Sequence, residues 1–289
     1  MKALAKFILR GRLQALLVGF IGGFFPLIST AAIALVSICK GVKEGTLLFL
    51  WVSLLLVFIQ QMSGENPLLT AITVASSGVM VLAATVHKYM ASWQWTLLSI
   101  SLGSLVSAFV FGLLMSSDVT ELLTTAQTLL QTVNSQQPDA QFDLALTEPM
   151  LLGLVATIMA AGSIMSMMLA RWWQAGLFNP GGFQKEFHDF AIQAKVAVIL
   201  IALLIAGQLF LKSYQLWADL AALPLLIAGL ALVHFAVKLF GLGRQWIAFV
   251  YIGMIMMGKP VTLILVILAF TDSLIDLRSR LVGFKNSKA

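Results

Sequence analysis

The chain of 289 residues is 60% hydrophobic and only 10% charged, against roughly a quarter charged in an average soluble domain. Too few polar side chains exist to clothe a 31.3 kDa soluble globule, whereas a lipid-facing surface needs none. The net charge of +6 is spread as single or paired cations between apolar runs, which is how topology determinants sit beside anionic headgroups and not how a nucleic-acid-binding stripe is built.

At the N-terminus, Lys2, Lys6, Arg10 and Arg12 precede an apolar run from Leu13. That is the layout of a signal peptide, with small residues at Ser29-Thr30-Ala31. The run stays apolar to Ile38, however, so a retained first helix is expected. Gly22-Gly23-Phe24-Phe25-Pro26 interrupts it, and a proline there removes a helical donor and restricts the residue before it. A span needs about 20 apolar residues at 1.5 Å rise, and the next stretches of that kind are 45–62, 67–87 and 94–116.

The segment 117–148 carries Asp118, Glu121, Asp139, Asp143 and Glu148 and no Lys or Arg. Within it Val119, Leu122, Leu123, Leu129, Leu130 and Val133 fall at helical spacing, which predicts an amphipathic helix over Asp118–Val133, capped by Asp118 and followed by a loop over Asn134–Pro138. It would lie on the outer face or close as a lid over an outward cavity. Further spans follow at 149–173, 192–211 and 217–239, and a last stretch, Trp246–Thr271, is interrupted by Gly258-Lys259-Pro260.

Positive-inside counting decides how the two interrupted stretches are threaded. If both are hairpins, sixteen of the eighteen Lys and Arg share one side with both termini; only Lys212 and Lys259 lie opposite, with most of the acids. If both are single spans, the bias vanishes. The expected fold is therefore all-α: a polytopic transmembrane helical bundle of about ten helices (eight to ten) in one integral membrane domain, with two short Pro-broken hairpins and an outer amphipathic helix. Its expected place is a bacterial inner (cytoplasmic) membrane, multi-pass, with N- and C-termini cytoplasmic. The helices 27–39 and 245–258 would reach only about 20 Å and must tilt little, thin the bilayer or shelter among neighbours.

Signatures of catalysis are missing. There is no phosphate-cradling G-x-x-x-x-G-K-[ST] loop, no H-E-x-x-H and no G-x-S-x-G. A single cysteine, Cys39, excludes an internal disulfide and a Cys-rich metal site, and His87, His188 and His234 are far apart in sequence. No enzyme, cofactor or metal is expected.

Two constellations remain as candidate sites. Arg171, Trp172 and Gln174, followed by Asn179, Pro180, Gly181 and Gly182, offer a binding or coupling surface, with glycines open to close approach and Arg171 supplying charge. Interfacial anchoring by Arg and Trp, with a tight turn after them, explains the same residues. Pro26, Gln60, Gln61, Lys259, Pro260 and Asp272 are candidates for a cavity or gate, because polar groups and helix breaks at membrane depth often serve function. Against that, Asp272, Asp276 and Arg280 are spaced one turn apart, which fits a structural i,i+4 ion pair to Arg280.

The basic N-terminal foot, the early Pro-broken hairpin, Leu169-Ala170-Arg171-Trp172-Trp173-Gln174-Ala175 leading into Asn179-Pro180-Gly181-Gly182-Phe183, and the ending Asp272-Ser273-Leu274-Ile275-Asp276-Leu277-Arg278 together resemble the YybS-like family of bacterial membrane proteins in its proteobacterial form. Its N-terminal half also looks distantly similar to substrate-capturing S components of energy-coupling-factor vitamin transporters. The resemblance implies a small-molecule binder or transport-related component without its own ATPase, whose partners are the lipid bilayer, a small-molecule ligand and other membrane proteins, and no nucleic acid. A non-catalytic membrane partner or assembly factor is the alternative reading; an enzyme acting on lipid-linked substrates would need clustered acid/base groups that the sequence does not display.

Overall fold

The computed structural model describes residues 2–24, 27–64, 66–136, 146–210 and 212–287, with only the backbone described at Phe24 and Lys212. Among these residues there is no strand, and the helices are α1 (Lys2–Arg10), α2 (Arg12–Ile21), α3 (Ile28–Lys40), α4 (Val42–Ser63), α5 (Pro67–Met90), α6 (Trp93–Leu114), α7 (Ser116–Gln136), α8 (Glu148–Phe178), α9 (Gly182–Asp189), α10 (Ala194–Phe210), α11 (Gln215–Leu239), α12 (Gln245–Met257), α13 (Lys259–Ile275) and α14 (Leu277–Asn286).

Five of them, α4, α5, α6, α8 and α11, are long and apolar enough to cross a membrane unaided. The 17-residue α10 and α13 continue, after bends of 70° and 80°, the short helices α9 and α14. The apolar α2, α3 and α12 are shorter still. Among the described residues, five to seven helices are thus long and apolar enough to cross a membrane and three shorter ones are apolar, the architecture of a multi-pass membrane protein. Leucines, phenylalanines and tryptophans such as Trp51, Leu54, Phe58, Phe109, Leu113 and Phe249 face outward, as a surface meeting acyl chains requires.

Both predicted breaks coincide with bends or turns at the helix ends. Between α2 and α3 the chain takes a 3-10 turn over Gly22–Phe24 and a left-handed residue at Leu27, φ 82; Pro26 itself lies outside the described residues. Between α12 and α13 the reversal occurs at Gly258, φ 59, with Pro260 in the first turn of α13 where its missing N–H costs nothing. The two hairpins are placed differently. In α3 the eight residues Ser29, Ala31, Ala32, Ile33, Ala34, Leu35, Val36 and Ser37 are buried, surrounded by α1, α2, α4, α5 and α8. α12 has no buried residue and packs mainly on α11 and α13. Of the two short helices, α3 takes the sheltered course and α12 does not.

The amphipathic helix is longer than predicted. It starts at Ser116, so Asp118 lies in its first turn and is not its cap, and it runs on through Asn134 and Ser135 to Gln136. The hydroxyls of Thr120, Thr124, Thr128 and Thr132 each donate to the carbonyl four residues back, so these side chains are satisfied within the helix. Val119, Leu122 and Leu123 pack on Leu68, Phe111 and Leu151 at the ends of α5, α6 and α8, while Leu129 and Val133 stay exposed. The rest of the acidic segment, with Asp139 and Asp143, lies outside the described residues.

At the other end of the bundle the basic residues converge. Lys40, Lys88, Arg171, Lys185, Lys238 and Lys285 line cavities or turns there. The expected pairing of Asp272 and Asp276 with Arg280 is not made. Asp276 takes a left-handed conformation, φ 48, and ends α13, so Arg280 turns away and its Nε donates to the Ile275 carbonyl. The 80° bend instead returns Arg278 to the buried Asp272 as an ion pair. Arg278 also donates from Nε to the His188 carbonyl (3.2 Å) and from Nη2 to the Phe190 carbonyl (2.6 Å). One guanidinium thus ties α13 to the end of α9 and fixes the 190–193 linker.

Candidate functional site

A cleft of about 620 Å³ opens at the basic end between α5, α6, α8, α9 and the 190–193 linker, with Ile38 of α3 also lining it. Its first wall is the tight α5–α6 turn. Ala91 adopts φ 49 and donates its N–H to the His87 carbonyl (2.9 Å), which reverses the chain and brings His87 and Lys88 beside the start of α6. Thr96 Oγ1 donates to the Ser92 carbonyl (2.7 Å), so its contact with His87 Nδ1 (3.1 Å) is one in which the imidazole donates. Ser92, which precedes α6, makes no side-chain cap, and the positive end of the helix dipole faces the cleft through Ser92, Trp93 and Gln94.

The second wall is the end of α8. Arg171 donates to Gln174 one turn on and forms an ion pair with Glu186 of α9. The turn joining these helices is the predicted one: Gly182 N–H donates to the Asn179 carbonyl (2.9 Å), Pro180 follows Asn179, and Gly181 sits at φ 88 where a side chain would be strained. A Cβ at Gly182 would meet Asn179 Nδ2 at 2.3 Å. The linker closes the third side, where Gln193 N–H donates to Gln94 Oε1 (2.7 Å).

The predicted Arg171–Gly182 surface is divided by α8 between two cavities. Arg171 and Gln174 face the cleft, whereas Trp172 and Gly181 line a cavity of about 490 Å³ with His188, His234 and Tyr251. An aromatic chain runs between them, with ring centroids 5.0 Å apart for His87–Trp93, 6.0 Å for Trp93–Phe183, 6.1 Å for Phe183–Phe187 and 5.3 Å for Phe187–His234.

A third cavity, about 280 Å³, lies towards the opposite end on three of the same elements, α3, α5 and α8. It is lined by Gly22, Gly23, Thr30, Thr73, Ser76 and Ser163 and carries no charge. Thr30 and Ser166 share a hydrogen bond (2.8 Å), while the hydroxyls of Ser29 and Ser163 have no partner. Between this cavity and the cleft, Ile33, Met80, Ala83, Ala84, Met167 and Ala170 are completely buried and close the path.

Among the described residues, the candidate gate residues Gln60, Gln61, Lys259, Pro260 and Asp272 are not gathered. Gln60 and Gln61 bond to each other (3.1 Å) at the end of α4, Lys259 is exposed at the start of α13 beside Pro260, and Asp272 is held by Arg278 near the basic end. None of them lines the cavities just described. Sequence reasoning did not single out Lys88, Trp93, Gln94, Glu186 or Gln193. The available signal was Glu186 beside Lys185 in the connection after α8, and the polar pair flanking a short turn at Lys88 and Gln94. Among the described residues, no group of three or more His, Cys, Asp or Glu is arranged to hold a metal ion.

Comparison with protein-family models, curated proteins and solved structures gave no match. The geometry of the cleft therefore carries the functional reading.

Proposed function

We propose that this chain is a transport-related membrane protein that binds a small polar molecule in the cleft at its basic end and has neither an ATPase nor a catalytic centre of its own. The observation that carries this reading is the concentration of polar side chains from four elements around one cleft, on helices that also bear the hydroxyl-lined cavity at the other end. Two cavities on shared helices, separated by an apolar layer, are what a solute path closed at its middle requires. The proposed setting is a bacterial inner membrane with both termini cytoplasmic, and kinship with the YybS-like family is proposed on the Arg171–Phe183 segment.

Thermal unfolding of the purified full chain across a panel of anionic, cationic and neutral metabolites tests the binding reading. Stabilisation by at least one class is expected, and none across the panel would sink it. Reporter fusions after Asn134 and after Ala289 are expected on opposite sides of the membrane; a shared side would refute the paired hairpins.

A second reading, a partner-docking or assembly role, draws on Trp172 and Phe178, which are 47% and 68% exposed on either side of the Gln174 turn of α8. Crosslinking in native membranes from positions 172 and 178 should then capture one reproducible protein, and an empty result removes that reading.

A further inference from the structure

Resting on the binding reading above, the chemistry of the cleft walls narrows the ligand. Buried polar atoms without partners cost about 1–3 kcal/mol each, so native chains keep few. Among the described residues, every buried charged or amide side-chain atom that lacks a partner belongs to a residue lining this cleft: Gln94 Nε2, Arg171 Nε and Glu186 Oε2. Trp93 Nε1 is a fourth. The other unpartnered atoms are serine hydroxyls and Trp173 Nε1. Gln94 and Trp93 are only 4% and 8% exposed, so solvent does not replace what the protein omits.

Three of the four atoms are donors, and the charged side chains of the lining, Lys88 and Arg171 against Glu186 and Asp189, balance one another. The uncapped start of α6 opens onto the cleft, and Lys88 lies on its rim. Arg171 is balanced by Glu186, which leaves one Glu186 oxygen as the unfilled acceptor. An anion suits the donors, and a hydroxyl or amino group on the same molecule suits Glu186. The lining does not favour an acyl chain. The apolar groove beside Trp51, lined by Leu13, Leu16, Leu47 and Leu48, is the better place for lipid.

We propose that the cleft binds a small soluble hydroxy- or amino-carboxylate, its carboxylate accepting from Trp93, Gln94 and Arg171 beside Lys88, and its hydroxyl or amino group donating to Glu186. The ligand enters with its carboxylate ionised, and no covalent step is involved.

The test uses the full chain in phosphatidylcholine nanodiscs, followed by thermal unfolding with malate, aspartate, succinate, glucose and choline. Malate and aspartate should raise the unfolding temperature by several degrees, and succinate, which lacks the extra donor, should act more weakly. Lys88→Gln, at an exposed position, should lower the apparent affinity for malate about tenfold, the size of one lost charge-assisted contact. Gln94→Leu should abolish the effect; if that variant does not fold because Gln193 loses its acceptor, Lys88→Gln still decides. Stabilisation by glucose or choline that Lys88→Gln leaves intact, without any by the carboxylates, would overturn the ligand class and leave the binding reading standing. A malate effect indifferent to both variants, or equal for succinate, would overturn the assignment of residues. Loss of the malate effect when phosphatidylglycerol replaces phosphatidylcholine would overturn it in favour of a lipid headgroup. Silence from these five and from the wider panel would remove both proposals together.

Discussion

The two broken hairpins have similar sequences and opposite situations. Both consist of short apolar helices interrupted by glycine and proline, yet α3 is enclosed on every side while α12 has no buried residue. Burial of α3 follows from its small residues. Ala31, Ala32, Ala34 and Ser37 let neighbours approach, and a Cβ on Gly45 of α4 would lie 1.8 Å from Ser37 Oγ. α13, the partner of α12, makes a similarly close contact, with Leu265 O 2.2 Å from where a Gly229 Cβ would stand. α12 itself presents Phe249, Ile252, Ile255 and Met256 outward. A central hairpin can shape cavities, as α3 does for both the cleft and the hydroxyl-lined cavity. A peripheral one must be latched, and Arg278 is the latch.

The sharpest break of this comparison is Arg278→Met. Removing one partner of a buried pair leaves Asp272 unpaired and frees the His188 and Phe190 carbonyls, and should cost about 4 kcal/mol in detergent-titrated unfolding. Loss below about 1 kcal/mol would mean that the latch is not needed.

Next in size is the pair Ile33→Ala and Ile255→Ala. Ile33 is 0% and Ile255 83% exposed, so the first should lose about 3 kcal/mol through a cavity and the second under about 0.5 kcal/mol. Equal losses would place α12 inside an interface. Thr30→Val, which removes the hydrogen bond to Ser166, should cost about 1 kcal/mol in the same measurement.

The smallest effect is acid sensitivity at the turn between α13 and α14. The Ser279 hydroxyl and N–H hold the Asp276 carboxylate below its usual range. A carboxylate depressed in the folded state contributes stability above its unfolded pKa of about 3.9, and that contribution is lost as pH falls through the folded value. Unfolding midpoints of the native chain should therefore decline slightly below about pH 4, and Asp276→Asn should show a flatter curve. Parallel curves would exclude the contribution.

Much of the architecture is written locally. The positions of the breaks, the long spans, the turn at Asn179–Gly182 and the gathering of cations at one end follow from hydropathy, proline, glycine and charge along the chain. The reach of α7 was underestimated because its threonines bond back to their own helix, which composition does not reveal.

The candidate site was only partly visible. Arg171 and Gln174 were singled out and stand in the cleft, but Trp172 was turned to another cavity by the pitch of α8, and Gln94, Lys88 and Glu186 joined from elements distant in sequence. The i,i+4 pair to Arg280 is not made, and Asp272 pairs with Arg278, because Asp276 takes a left-handed conformation that bends the chain, and helical spacing assumes no bend.

By itself the sequence determined that the chain is a helical membrane bundle, roughly how many helices it has, where they break and which end is basic. Only the tertiary structure decided which broken hairpin is central and which polar residues share a cleft. The physical reason is that lipid and protein neighbours ask for the same apolar side chains, so hydrophobic pattern marks a helix as membrane-seeking without saying which of its faces meets another helix.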